Sequence, residues 1–210
     1  MAQRLSYLKE TPSQTAGPYV HIGLTPQVAG VEGVYPEDPG LAIAGPEAKG
    51  QRIRIEGRIF DGQGDILRDA LVELWQADAA GIYKSPNDPR AESCDPAVLG
   101  WGRAATDLKT GVFAFDTVKP GPVPGPGQSI MAPHVSLWIV ARGINLGLAT
   151  RMYFPDEEAA NAADPILGKV LPPARRETLI ASAEQSDAAA LRYRFEIRLQ
   201  GEDETVFFDC

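Results

Sequence analysis

The sequence predicts an all-β fold, an antiparallel β-sandwich core with an extended N-terminal arm and a few short helices. Apolar and polar residues alternate along residues 191–200, as expected for a strand with one buried face. Several shorter runs of this kind are separated by turn residues, and no segment repeats at a fixed spacing. Short strands with little helix between them are typical of a β-sandwich.

The first strands are predicted from residue 52 onwards. Ile53, Ile55 and Ile59 alternate with polar residues and are expected to share one buried face. The turn residues 61–64 then lead into the segment 70–76. This arrangement indicates either a hairpin or a corner of the sandwich.

A second strand-turn-strand unit follows in the middle of the chain. Residues 101–106 and 112–118 flank the turn 107–111, and Phe113 and Phe115 are expected to point inward. Residues 120–127 contain four of the eighteen prolines. Because proline cannot donate a hydrogen bond to a sheet, this segment is predicted to be a loop.

Two later segments complete the predicted sheets. Residues 135–141 are almost continuously apolar, which is typical of a central strand covered on both faces. Residues 204–208 are expected to form an edge strand. Helix is expected only between these segments, in a short helix capped by Asp156 and in another that starts at Pro172 and Pro173.

The domain organisation follows from composition. Residues 1–50 are rich in proline and glycine and show little sustained periodicity. We predict an N-terminal arm and loops that pack on a partner chain, followed by a β-sandwich domain over residues 51–210. A chain of 210 residues can bury one substantial core, so a single domain overall is expected.

Charge and hydropathy exclude several classes of partner. The net charge of −8 argues against nucleic acid and anionic membranes, because both are bound through clustered Lys and Arg. Residues 1–20 lack the apolar core of a signal peptide, and no apolar run reaches the length of a membrane span. A cytoplasmic protein with no nucleic-acid or membrane partner is expected.

Most motifs that carry chemistry are missing. Cys94 and Cys210 form neither a disulfide framework nor a zinc motif, so two reduced thiols are expected. Residues 121–127 are rich in glycine, but their prolines remove the amides that would hold a phosphate. No serine or cysteine lies in a recognisable nucleophile motif, which disfavours hydrolase chemistry.

The segment 132–136 contains half of a metal-binding pattern. His134 and Ser136 point to the same face of an extended strand, where two histidines could hold one ion. A serine hydroxyl is a weak ligand at neutral pH, and the only other histidine, His21, is distant in the sequence. A structural role for His134 in a core or pocket is therefore favoured.

A set of seven segments spans nearly the whole chain: 13–19, 72–83, 118–121, 131–136, 150–154, 175–180 and 204–209. Together, and in this order, they resemble the intradiol ring-cleavage dioxygenases. No single segment is decisive, but the ordered set is specific. The resemblance implies a β-sandwich enzyme that uses Fe(III) to insert both atoms of O2 between the two hydroxylated carbons of a catechol.

The resemblance also implies where the iron ligands would fall. The family holds Fe(III) with two tyrosines and two histidines, and these positions correspond here to Tyr83, Val123, His134 and Ser136. An arginine that precedes the histidine pair corresponds to Met131. Half of the ligand set and one cation are missing. The four positions are therefore interpreted as vestigial, and no metal is expected to be held by this chain.

The resemblance implies the role of a subunit instead. In family members built from two kinds of chain, a homologous beta chain holds the Fe(3+). The N-terminal segment of the other chain contributes to the pocket for O2 and a small aromatic acid, and its substrate-binding positions correspond to Thr15, Gly17, Pro18 and Tyr19. A hetero-oligomer is expected, in which this chain is inactive alone and supplies no catalytic residue.

Arg142 is a further candidate for substrate binding. It ends the apolar run 135–141, and a guanidinium can bind a carboxylate through two hydrogen bonds. An ion pair within or between chains is the alternative for Arg142, and an interface-filling loop is the alternative for the segment around Tyr19. Three functions remain open: a subunit that completes the substrate pocket, a purely structural scaffold with a decayed site, and an autonomous module that binds an aromatic acid.

Overall fold

The computed structural model describes residues 15–184 and 191–209. Its helices are α1 (Pro18–Leu24) and α2 (Glu158–Ala163), with 3₁₀ turns at Ala91–Ser93, Leu167–Lys169 and Pro173–Leu179. Its strands are β1 (Arg52–Gly57), β2 (Ile59–Phe60), β3 (Leu71–Trp75), β4 (Trp101–Ala105), β5 (Phe113–Val118), β6 (Val123–Pro124), β7 (Ile130–Met131), β8 (His134–Val140), β9 (Leu148–Tyr153), β10 (Ser182–Glu184), β11 (Leu191–Arg194) and β12 (Ile197–Arg198).

Two four-stranded sheets form the layers of a sandwich. One has the strand order β10-β11-β1-β5 and the other has the order β4-β3-β8-β9. Inward-facing side chains from both sheets form the main core, among them Ile55, Leu74, Phe115, Leu137 and Tyr193. The prediction of an all-β sandwich is confirmed.

Strand direction is mixed in two places. β1 is antiparallel to β5 but parallel to β11, and β2 is parallel to β12. The other strand pairs of the described residues are antiparallel. β11 enters the sheet beside β1 only after the chain has passed through the whole second sheet. No tight turn between neighbours therefore requires an antiparallel pair there.

Both predicted strand-turn-strand units connect the two layers. Residues 61–64 form a tight turn that is closed by an antiparallel bridge between Phe60 and Ile66, and the chain then crosses to β3 in the other sheet. β4 and β5 also lie in opposite sheets, although only residues 106–112 join them. Phe113 and Phe115 are buried, as predicted.

Three strand predictions were partly wrong. Residues 135–141 do form most of the inner strand β8, but Trp138 on its outer face is 40% exposed. The predicted strand 191–200 is two strands, because the chain leaves the β1 sheet after β11 and pairs with β2 as β12. Residues 204–208 are not a strand of the described part of the chain, although Phe208 forms an antiparallel bridge to Ala149.

The proline-rich segment 120–127 is not entirely a loop. Its residues Val123 and Pro124 form β6, which pairs with β7 in a separate two-stranded ribbon. Each strand of a two-stranded ribbon has one side without a partner strand, where no backbone amide has to donate a hydrogen bond. Proline is tolerated in such a strand for this reason.

The helices differ from the prediction. Asp156 does not cap α2, whose N-cap position is taken by Glu157. The Asp156 carboxylate instead accepts a hydrogen bond from the Tyr193 hydroxyl at 2.9 Å and pairs with the Lys119 amine at 2.7 Å. The second predicted helix is a 3₁₀ turn that starts at Pro173.

Part of the segment 1–50 belongs to the sandwich of this chain. Ile43 is fully buried in the main core, and Ala44 bridges to Val98. Gly40 has a φ of +89°, and a Cβ there would lie 2.6 Å from the backbone nitrogen of Arg103. The arm also contains α1, which was not predicted. Packing of the arm on a partner chain stays a prediction, and residues 1–14 and Cys210 lie outside the described residues.

No helix among the described residues is long and apolar enough to cross a membrane.

Candidate functional site

The N-terminal arm is attached to the turn that follows β8. The Thr15 hydroxyl donates a hydrogen bond to the Ala141 carbonyl at 3.3 Å and accepts one from the Gly143 amide at 2.8 Å. Arg142 lies between these two residues in the chain. The arm therefore lies beside Arg142, although the two are far apart in the sequence.

The other predicted arm residues surround the start of α1. Gly17 is the N-cap residue of the helix, with an extended backbone, and Pro18 is its first residue. The missing amide of proline is not needed at this position, and its fixed φ suits a helix. Tyr19 follows and is 84% exposed, so its ring is available to a molecule outside this chain.

Arg142 forms an ion pair within the chain. Its Nε contacts a carboxylate oxygen of Asp69, which lies in the connection between β2 and β3. The Arg142 side chain is 76% exposed, and that of Asp69 is 28% exposed. The intrachain ion pair, one of the alternatives for Arg142, is thus present. The contact engages Nε, and the two terminal nitrogens of a guanidinium form a second edge that can bind another carboxylate.

A cavity of about 290 Å³ lies where the arm meets Arg142. Its wall is mainly apolar, and it contains one imidazole and the Arg142–Asp69 pair. The Nε2 of His21 is buried without a hydrogen-bond partner in the described part of the chain. The lining residues are Ala16, Gly17, His21, Ile22, Val28, Ala29, Asp69, Leu108 and Arg142. The structure thus brings Gly17 and Arg142 to one cavity, whereas Tyr19 lies outside its wall.

A second group of side chains lies on the outer face of the β4-β3-β8-β9 sheet. Ser136 in β8 is directly opposite Trp75 in β3 and Arg151 in β9. Residues directly opposite each other in a sheet share a face, with Cβ atoms about 5 Å apart. Val123 pairs with Met131 in the neighbouring ribbon.

Met131 connects this ribbon to the sheet. An amino group of Arg151 lies 3.4 Å from the Met131 sulfur. Val123 and Ser136, two of the predicted vestigial positions, thus each lie beside one residue of the Met131–Arg151 contact.

His134 lies on the same outer face but is covered by other residues. It is 3% exposed, and its Nδ1 lies 2.7 Å from the Ala132 carbonyl, to which it donates a hydrogen bond. Its ring packs against Tyr153, with ring centroids 5.6 Å apart. Burial, together with the positive charge of Arg151, lowers the pKa of His134 from 6.5 to about 4. His134 is a neutral, packed residue.

Tyr83 lies in a loop organised by Asp78. The buried Asp78 carboxylate accepts hydrogen bonds from the amides of Ala80, Ile82 and Asp95 at 2.8–2.9 Å. Burial raises the pKa of the Tyr83 phenol, whereas the charge of Arg151 acts to lower it. The phenol is thus protonated at neutral pH and lies within the electrostatic reach of Arg151.

Comparison with known proteins identifies the family. A dioxygenase family model matches residues 33–201. The chain is 46% identical over 205 residues to the protocatechuate 3,4-dioxygenase alpha chain of Pseudomonas putida, which covers 98% of both chains. This chain belongs to the intradiol ring-cleavage dioxygenase family.

Two further intradiol dioxygenases have a lower sequence identity to this chain. The chain is 37% identical over 186 residues to the protocatechuate 3,4-dioxygenase beta chain of Burkholderia cepacia, covering 85% of this chain and 78% of that one. The crystal structure of hydroxyquinol 1,2-dioxygenase from Pseudomonas putida DLL-E4 matches with a TM-score of 0.59 and 21% identity, covering 80% of this chain and 62% of that one. At this identity the structural match supports the shared fold.

Intradiol dioxygenases use iron, and the residues at the four predicted ligand positions do not fit a ferric ion here. Val123 has no donor atom, and Ser136 offers only a neutral hydroxyl. Fe(III) is a hard, highly charged ion that requires anionic oxygen donors, and Tyr83 is the one phenol at these positions. The Arg151 side chain on the Ser136 face adds a positive charge. No group of three or more His, Cys, Asp or Glu side chains in the described ranges could hold a metal.

Sequence reasoning missed two residues of these sites. Asp69 was not considered, because its partner Arg142 is distant in the sequence and no pattern connects them. Arg151 lies in segment 150–154 of the family resemblance but was given no role. Its position opposite Ser136 depends on the strand register, which a single sequence does not specify.

Proposed function

We propose that this chain is the non-iron-binding alpha subunit of a protocatechuate 3,4-dioxygenase. In this proposal it completes the substrate pocket of a homologous beta chain that holds the Fe(III). The assembled enzyme cleaves 3,4-dihydroxybenzoate with O2, between the two hydroxylated carbons, to give 3-carboxy-cis,cis-muconate. The similarity to a relative named as an alpha chain supports this assignment, and so does the weaker similarity to a beta chain.

One observation carries the proposal: the arm and Arg142 meet at one cavity. The cavity of about 290 Å³ has a mainly apolar wall, which suits an aromatic ring, and a guanidinium, which suits a carboxylate. The hydrogen bonds of Thr15 to Ala141 and Gly143 hold the arm at this place. The chain carries a net charge of −8, so an anionic substrate depends on a locally placed cation.

In this role the chain binds and orients substrate and supplies no acid, base or metal ligand. Arg142 would hold the substrate carboxylate, which fixes the direction in which the hydroxylated carbons point. Gly17 allows close approach of the backbone, and apart from its two chain neighbours no heavy atom of the described residues lies within 4 Å of where its Cβ would be. The exposed ring of Tyr19 would cover the substrate or the partner surface. In the proposed complex, the Fe(III) of the beta chain would supply the reaction of the substrate with O2.

Two other functions compete with this one. A scaffold subunit would support assembly without touching substrate, and the Arg142–Asp69 ion pair would then be a surface contact only. An autonomous binding module would hold an aromatic acid without any partner chain. Co-expression with the beta chain separates the module from both subunit roles, because the module requires no stable complex.

The decisive test is Arg142→Ala in the co-expressed complex. We expect KM for 3,4-dihydroxybenzoate to rise by about tenfold, since a charge-assisted hydrogen bond is lost, while KM for catechol, which lacks the carboxylate, stays nearly constant. Arg142→Lys is the matched control: it keeps the charge but loses the planar fork, so an intermediate KM is expected. Size-exclusion chromatography shows whether each variant still assembles with the beta chain. Iron analysis shows whether the beta chain in the complex retains its iron.

Each alternative has its own outcome. An equal effect on both substrates would remove Arg142 from the pocket. Unchanged turnover by Arg142→Ala and Tyr19→Ala complexes that assemble normally would favour the scaffold. Tight binding of the acid by this chain alone, with no complex formed, would favour the module.

A further inference from the structure

The cavity beside Arg142 has two sides that differ in origin. Six of its nine lining residues belong to the N-terminal arm, and the other three belong to the sandwich. Those three are Asp69, Arg142 and Leu108. Asp69 and Arg142 form the ion pair described above. Leu108 is therefore the apolar side chain that the sandwich itself contributes to this wall.

The fold of the chain does not account for the position of Leu108. Its side chain is 60% exposed, and it belongs to neither hydrophobic core of the described residues. Burial of a leucine is worth about 1.5–3 kcal/mol, and most of this stabilisation is not realised at such exposure. The Leu108 side chain is thus available to a molecule that enters the cavity.

The turn that carries Leu108 is held by its own hydrogen bonds. It lies between β4 and β5, and the Asp107 carboxylate accepts hydrogen bonds from the amides of Lys109 and Thr110 at 2.9 and 2.6 Å. The same oxygen accepts a third hydrogen bond from the Thr110 hydroxyl at 2.8 Å. Leu108 lies between the acceptor and the donors along the chain, so these hydrogen bonds restrict its backbone.

This turn is also attached to the connection that contains the partner of Arg142. The Ala70 amide donates a hydrogen bond to the Thr106 hydroxyl at 3.0 Å, and the Thr106 amide donates one to the Ala70 carbonyl at 2.9 Å. Thr106 and Ala70 are both fully buried. Asp69, which pairs with Arg142, directly precedes Ala70. The sandwich therefore sets the position of Leu108 relative to Arg142, whatever the arm does.

We propose that Leu108 is a specificity-determining residue, which selects aromatic acids whose carboxylate is attached directly to the ring. The inference rests on the proposed function, in which Arg142 holds the substrate carboxylate. An extra methylene between ring and carboxylate would need room beside Leu108, in a cavity of about 290 Å³. Ligand cavities usually measure about 300–1,000 Å³, so this one has little room to spare.

The test compares three substrates of the co-expressed complex: 3,4-dihydroxybenzoate, 3,4-dihydroxyphenylacetate, which has one more methylene, and catechol. The measured selectivity is kcat/KM for the benzoate divided by kcat/KM for the phenylacetate. Leu108→Ala should lower it at least about tenfold, because one methylene in an apolar pocket is discriminated by about 10- to 200-fold. For catechol, which has no carboxylate to place it at Arg142, kcat/KM should change little.

Two control variants separate the size of the side chain from other effects. Leu108→Met keeps nearly the same volume and should retain the selectivity of the parent complex. Leu146→Ala removes another exposed leucine, which is 69% exposed and lies in the β8–β9 connection without lining the cavity. Its selectivity and its kcat/KM for each substrate should equal those of the parent complex.

Several results would overturn the proposal. Unchanged selectivity in an assembled Leu108→Ala complex, or an equal loss of kcat/KM for all three substrates, would show that Leu108 does not select the acid. Loss of assembly in size-exclusion chromatography would make Leu108 a contact with the beta chain instead. Arg142→Ala, measured with the same substrates, tests the proposed function separately. An equal effect of Arg142→Ala on the acids and on catechol would overturn that function and this inference with it.

Discussion

The Thr15 hydroxyl accepts a hydrogen bond from the Gly143 amide at 2.8 Å and thereby joins the N-terminal arm to the turn that contains Arg142. A second hydrogen bond from the same hydroxyl reaches the Ala141 carbonyl at 3.3 Å. One short side chain thus satisfies two backbone groups of the turn. The position of the arm and the position of Arg142 are therefore coupled.

Thr15→Val is expected to loosen the arm without unfolding the sandwich. Valine has nearly the same shape but neither donates nor accepts a hydrogen bond, so the Gly143 amide loses its partner at a cost of about 1 kcal/mol. Hydrogen exchange of the Gly143 amide should accelerate while the unfolding midpoint changes little. Thr15→Ser keeps the hydroxyl and should exchange as the parent chain does. The same exchange rate in all three chains would contradict this account of the arm.

Asp69→Asn is expected to strengthen binding of an anionic substrate by the assembled enzyme. Asp69 and a substrate carboxylate compete for the guanidinium of Arg142, and an exposed ion pair is worth less than about 1 kcal/mol. KM for 3,4-dihydroxybenzoate should fall about twofold to fivefold. KM for catechol is the internal control and should not change. A higher KM for the acid alone would mean that Asp69 orients Arg142 and does not compete for it.

The buried His134 makes stability depend on pH. Its pKa in the folded chain is about 4, below the value of 6.5 expected in the unfolded chain. As the pH falls, the unfolded chain binds the proton first, so the stability present above pH 6.5 is lost progressively towards pH 4. The loss is on the order of 3 kcal/mol for a shift of this size.

Two charged groups near His134 act on its pKa in opposite directions. Arg151 opposes protonation, and the carboxylate of Asp164 favours it. Urea unfolding of the parent chain and of His134→Gln should be compared at pH 7 and pH 5. The free energy of unfolding should decrease less with pH in the variant, because glutamine does not titrate. Equal pH dependence in the two chains would assign the effect to other groups.

Lys119 is expected to make a large contribution to the stability of the fold. Its amine pairs with Asp156 at 2.7 Å and Glu157 at 2.6 Å and lies 5.3 Å from the centroid of the Phe154 ring, while its side chain is only 11% exposed. Lys119→Met keeps most of the volume but leaves two carboxylates without their cation. We expect a loss of about 2 kcal/mol in the free energy of unfolding, measured in urea.

The exposed Lys109 is the matched control for this substitution. Lys109→Met should change stability by less than about 0.5 kcal/mol. Similar losses of unfolding free energy for both variants would show that the ion pairs of Lys119 stabilise the fold no more than an exposed lysine does.

The local pattern of apolar and polar residues predicted much of the fold. Predictions from this pattern were least accurate at the ends of strands and in the connections between them. Alternation of apolar residues correctly predicted the buried faces around Ile53, Ile55 and Phe115. It did not predict that β11 and β12 belong to different sheets, because a crossover between sheets does not interrupt the alternation. Helix α1 was missed because its seven residues are too few to show a period.

The sequence by itself determined the family and led to the prediction that ligand side chains are missing at 123 and 136, because side-chain chemistry is read directly from residue identity. It also indicated Arg142 as a carboxylate-binding candidate. Only the tertiary structure decided which residues meet: Arg142 with Gly17 and Asp69 at one cavity, and Arg151 with Ser136 across two strands. The physical reason is that strand register and the turns between sheets bring together residues that are distant along the chain.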